Sequence, residues 1–80
     1  MGTFEITKVR DFFELGRGAY KIAEKLKIKS VHSVEQWPLR GIPKSYWDAV
    51  CEHYPFMTIE TCFRISEIAR KEYRKRLEAR

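Results

Sequence analysis

The side chains able to do chemistry are few in this chain, and their spacing separates the kinds of chemistry open to it. Cys51 and His53 come nearest to a nucleophile with a base. They stand two apart in a segment of helical periodicity, so they point to different faces, and no third group orients the pair. His32, His53, Cys51 and Cys62 lack ligand-like spacing, so no metal site is expected. No carboxylate pair, Gly-rich phosphate loop or Ser-His-Asp arrangement occurs. The chain reads as something other than an enzyme, with no cofactor and no small-molecule substrate. What remains is a concentration of hydrogen-bonding side chains at one place, Ser30, His32, Ser33, Glu35 and Gln36, with Lys29, Arg40 and Lys44 around them. Such groups suit base edges and phosphates.

The elements that must hold those residues can be read from periodicity and caps. Residues 1–6 alternate (Thr3, Phe4, Glu5, Ile6) and fit an irregular arm or one short strand. Thr7 is placed to N-cap a first helix from Lys8 to Leu15, with Val9, Phe12 and Phe13 as its apolar stripe and Gly16 as a left-handed C-cap. A second helix runs from about Gly18 to Lys27 and buries Ile22, Ala23 and Leu26. Lys27–Lys29 is a tight turn, after which Ser30, or Lys29, caps a third helix. Val34 and Trp37 face inward, and Pro38 stops or kinks that helix near Trp37. Gly41-Ile42-Pro43 turns the chain into a fourth helix starting at Pro43 and reaching about His53, which Pro55 terminates. Thr58 caps a fifth helix that runs towards Leu77, apolar in its first half and highly charged in its second. The expected fold is therefore all-α with five helices.

Eighty residues make one domain near the lower size limit for independent folding. With 44% hydrophobic and 14% aromatic residues spread along the chain, disorder is not expected. The formal net charge of +5 suits a polyanionic partner. Two cysteines outside any Cys-x-x-Cys pair make no disulfide framework and fit a reducing cytosol as small core hydrophobes. The opening MGTFEITKVRDFF lacks the pattern of a secretory signal, and Ile6 stands where a myristoylation motif needs Ser or Thr. No run of about 18 apolar residues suits a membrane span. A cytoplasmic location, with no membrane partner, is the expectation.

Residues 18–37 meet the requirements of a helix-turn-helix. Ala23 is the small residue where two helices approach, Lys27–Lys29 the turn, Val34 and Trp37 the inward anchors, and His32, Ser33 and Gln36 the outward polar face. The run Ile22-Ala23-x-x-Leu26, Val34-x-Gln36-Trp37, Arg40-Gly41-Ile42-Pro43 resembles the small Cro/cI-type helix-turn-helix repressors of phages and prophages. VEQWPLRGIPKSYW is similar in particular to their Cro-like, YdaS-like relatives, and the resemblance covers roughly residues 8–54. Where that family usually carries Gly, this chain has Lys27.

The resemblance implies sequence-specific binding of double-stranded DNA by a homodimeric transcriptional repressor of phage or prophage origin, acting in a bacterial cytoplasm. By position it implies base contacts from Val31, His32, Ser33 and Gln36. Gln36 is chemically suited to the adenine N6/N7 edge, His32 to guanine or phosphate, and Val31 to a thymine methyl. Arg17, Lys21, Lys29, Ser30, Arg40 and Lys44 are the matching phosphate contacts, which add affinity without sequence information. For the fifth helix the expectation is dimerisation through Ile65, Ile68, Ala69 and Tyr73, with a basic tail on phosphate as a second reading of residues 70–80. The rival function is a protein-interaction module of helix-turn-helix shape, such as an antitoxin or adaptor. A single-strand binder would need an exposed Trp37 or Trp47, and their helical phase places both in the core instead.

Overall fold

The computed structural model describes residues 5–79. Among them are six α-helices, one short 3-10 turn and no strand. The helices are α1 (Val9–Leu15), α2 (Ala19–Leu26), α3 (Val31–Glu35), α4 (Trp37–Arg40), α5 (Trp47–His53) and α6 (Ile59–Glu78), and Lys44–Tyr46 forms the 3-10 turn before α5. Most of the expected arm or strand, residues 1–4, lies outside the described residues. Within it, Ile6 is buried, and its carbonyl accepts a 2.7 Å hydrogen bond from the Arg64 guanidinium.

The helix ends show how local chemistry sets the boundaries. The N-cap of α1 is Lys8, one residue later than expected. Thr7 precedes it, and its hydroxyl and amide both donate to the Asp11 carboxylate, which also accepts from the Lys8 amide. Those donors, the Thr7 hydroxyl first, hold the Asp11 carboxyl below its usual range. Gly16 is not the left-handed residue: its φ is −83°, and positive φ falls on Arg17 (66°) and Gly18 (94°) instead. The amides of Arg17 and Gly18 reach back to the carbonyls of Glu14 and Phe13, a Schellman closure whose left-handed position lies one residue past Gly16. The same closure ends α2, where Lys27 and Ile28 donate to Glu24 and Ala23 and Lys27 is left-handed at φ 59°. Ser30 and Thr58 cap α3 and α6 as expected, accepting from Ser33 N at 3.3 Å and Thr61 N at 3.1 Å.

The third helix stops close to Trp37, as expected, and a short helix that was not expected follows it directly. Helix α3 stops at Glu35, and Gln36 both closes it and starts α4. Pro38 falls in the first turn of α4, where its missing N–H has no intrahelical partner to lose. The proline therefore begins a new helix rather than kinking the old one. Pro43 likewise does not begin a helix, since its ψ of 137° is extended, and α5 starts only at Trp47 after the 3-10 turn.

One core unites these pieces. Val9 and Phe12 of α1, Ile22 and Ala23 of α2, Val34, Trp37, Ile42, Trp47 and Val50, and Cys62, Ile65 and Ala69 of α6 are all buried in it. Each fully buried side chain of the size of Phe12 or Ile22 stabilises the fold by about 1.5–3 kcal/mol relative to exposure. Phe12 and Tyr54 meet edge to face at 5.1 Å. Both tryptophans are buried, as their helical phase predicted, and the Trp47 indole N–H donates to the Ile42 carbonyl at 2.8 Å.

The Gly41–Ile42 turn is a tight junction between backbones. Helix α4 packs along α6, and at Gly41 the backbones come so close that a Cβ would lie 2.9 Å from the Ser66 carbonyl oxygen. Gly41 also has φ 86° and ψ 164°, a region open essentially to glycine alone. Ser66, fully buried on α6, accepts a 3.0 Å hydrogen bond from the Ile42 amide. The turn after α4 is thus bolted to the long helix.

Candidate nucleic-acid interface

Helix α3 is short because its cap and its break lie only six residues apart, at Ser30 and Gln36. Its five residues divide cleanly. Val34 is fully buried, and Val31 is half-buried against the core. Glu35 is exposed without lining the concavity described next, and His32 and Ser33 are exposed as well. With Gln36 and Trp37 behind them and Arg40 of α4 beside them, they border a shallow concavity of about 450 Å³ that Tyr46 closes on the far side. Tyr46 stacks at a tilt on Trp37, 5.6 Å between ring centroids, which ties that wall to the core.

The structure brings together four of the sequence-predicted residues on this face: His32, Ser33, Gln36 and Arg40. Tyr46 was not anticipated, because only the 3-10 turn swings it beside α4. Lys29, Ser30 and Lys44 are exposed but do not line it, and the Ser30 hydroxyl is engaged in capping. Arg17 and Lys21 sit apart, bordering a different concavity with Glu24, Lys25 and Tyr54. The Lys25 ammonium there lies 5.1 Å from the centre of the Tyr54 ring. Val31 offers only part of its side chain outward, the rest being packed inward.

The dimerisation stripe requires correction. Ile65 and Ala69 are buried in the chain's own core, because α4 lies along that side of α6, and so present no surface to a second copy. Ile68 and Tyr73 remain half-buried at the margins of α4. The large exposed apolar side chains of α6 lie near its start and end instead, at Ile59, Phe63 and Leu77, with Phe56 just before it.

Cys51 and Cys62 are free, and burial, reinforced by the neighbouring Cys51, pushes the Cys62 thiol up to about 12. It is a neutral core side chain at ordinary pH, which is the opposite of an activated thiolate. Among the described residues no three His, Cys, Asp or Glu side chains are placed to hold a metal ion, and no helix is long and apolar enough to cross a membrane.

Compared with known families, curated proteins and solved structures, the chain matches none. The likeness to Cro-type repressors therefore rests on the residues quoted above and on nothing wider.

Proposed function

We propose that this chain is a sequence-specific double-stranded DNA-binding transcriptional regulator, a Cro-like repressor that binds a pseudo-palindromic operator as a homodimer in a bacterial cytoplasm. The observation that carries the reading is the division of α3. Val34 and, just beyond it, Trp37 are buried, while His32, Ser33, Gln36 and Arg40 line one open face with no acidic side chain among the residues that border it. A helix held by its inner residues and polar on its outer face is what reading a major groove requires. The excess of 16 Lys and Arg over 11 Asp and Glu supplies the long-range attraction. In this reading Gln36 contacts adenine, His32 and Ser33 contact bases or phosphate nearby, and Arg40, Lys29 and Lys44 hold the backbone. Arg17 and Lys21, which border a separate concavity, stay phosphate contacts in this reading, away from the α3 face.

The test is selection of bound sequences from a random duplex pool at near-physiological salt. An inverted repeat is the expected product, and its half-site spacing would give the separation of the two α3 helices. Gln36→Ala should then lose about 1–3 kcal/mol of preference at one base pair of each half-site and leave the others unchanged. Recovery of no motif would sink the specific-repressor reading. The second reading, a protein-interaction module, draws on the exposed Phe56, Ile59 and Phe63. It would gain if Phe63→Ser abolished capture of a protein partner while the chain showed no salt-sensitive affinity for DNA.

A further inference from the structure

Arg40 borders two concavities. One is the α3 face already described, and the other lies where α4 meets the second half of α6. The second has a floor of Leu39, Tyr73 and Leu77 and a rim of Arg40, Arg70 and Arg74. Arg70 and Arg74 are one helical turn apart on α6, so both guanidinium groups emerge on the same side. Their alkyl stems can lie along the apolar floor while the charged ends stay in water. Arg40 thus borders both the α3 face and the α6 concavity.

We propose that Arg70 and Arg74, together with Arg40, grip the DNA sugar-phosphate backbone beside the groove that α3 enters, making the second half of α6 a working part of the interface. The inference rests on the DNA-binding reading above. Charge selects the occupant. Three guanidinium groups ring the concavity, and no acidic side chain lines it. Glu67 accepts from Arg70 at 3.4 Å. Both partners of that pair are close to half exposed, and a surface pair of this kind holds weakly enough to yield to a phosphate. Glu72 points the other way, towards Lys8 at 3.9 Å. A second copy of the chain docked on this rim would bring arginine against arginine, which disfavours self-association here. The neighbouring Lys71 and Lys75 are exposed but line neither concavity, so they carry equal charge in another direction.

That pair of lysines supplies the control. Affinity of the full chain for one selected duplex and one scrambled duplex would be measured from about 50 to 200 mM salt, for the parent, for Arg70→Gln with Arg74→Gln, and for Lys71→Gln with Lys75→Gln. All four positions are exposed and glutamine is a good helix former, so thermal melting should confirm an unchanged fold. The arginine pair should flatten the slope of log affinity against log salt by about 2, weakening both duplexes alike, and the lysine pair should change it far less. Equal effects from the two pairs would overturn the proposal in favour of diffuse charge, and no effect of the arginine pair would overturn it outright. A parent that binds both duplexes without preference, yet loses slope through the arginines, would support the clamp while refuting sequence reading. A parent that binds neither duplex would overturn both.

Discussion

Lys27 and Gly41 both turn the chain through positive φ, at 59° and 86°, one on each side of the α3–α4 unit. The two turns nevertheless constrain the sequence very differently. Lys27 lies at ψ 40°, in the left-handed helical region that any residue can enter at a cost of roughly 1–2 kcal/mol, and its side chain is exposed. Gly41 lies at ψ 164°, where a Cβ is forbidden by the backbone itself, and it is also pressed against Ser66. The turn before α3 is therefore closed only by its own backbone, through the amides of Lys27 and Ile28. The turn after α4 is held by a helix from the far end of the chain. A positive φ alone does not identify a position that must be glycine. The ψ value and the neighbours decide.

Three substitutions would break or sharpen that contrast. Gly41→Ala should be the most damaging, because backbone strain and overlap with Ser66 act together. A loss of about 3 kcal/mol or more is expected in urea unfolding, and a variant within about 0.5 kcal/mol of the parent would erase the distinction. Ser66→Ala removes the partner of the buried Ile42 amide and should cost about 1–3 kcal/mol, even though no apolar contact of note is lost. Lys27→Gly should go the other way, raising stability by about 0.5–1 kcal/mol and the melting temperature by about 2–8 °C. A destabilised Lys27→Gly would mean that the lysine side chain contributes more than its backbone conformation removes.

Much of the all-α fold was legible because caps and apolar stripes are local signals. Ser30 and Thr58 act as caps, His53 ends its helix, and Val34, Trp37 and Trp47 are buried at the positions their spacing dictated. The stop near Trp37 was legible from Pro38, but α4 was not, since a proline that ends one helix also suits the first turn of another, and only packing of α4 on α6 selects that outcome. That same packing explains Ile65 and Ala69. An apolar stripe announces burial but not whether the cover is the chain itself or a partner, and here it is the chain. Ser66 did leave a trace. A serine on the Cys62-Ile65-Ala69 face must find a buried partner, although its spacing cannot say which amide that is. On the candidate interface, His32, Ser33 and Gln36 follow from the phase of α3, but the joining of Arg40 to Arg70 and Arg74 depends on where α4 comes to rest.

The hydrogen bond between Ser66 and Ile42 spans 24 positions of sequence. During synthesis at about 5–20 residues per second, Ser66 is added roughly 1–5 s after the turn it secures. For that interval the α3–α4 segment has all its own residues but not the one that fixes its exit, and Ile42 has no buried acceptor for its amide. The exit of the α3–α4 segment therefore gains this bond only when α6 docks. Any chain interrupted or cleaved between Pro55 and Ser66 would lose that bond together with the core side chains that α6 supplies, Ile65 and Ala69 among them.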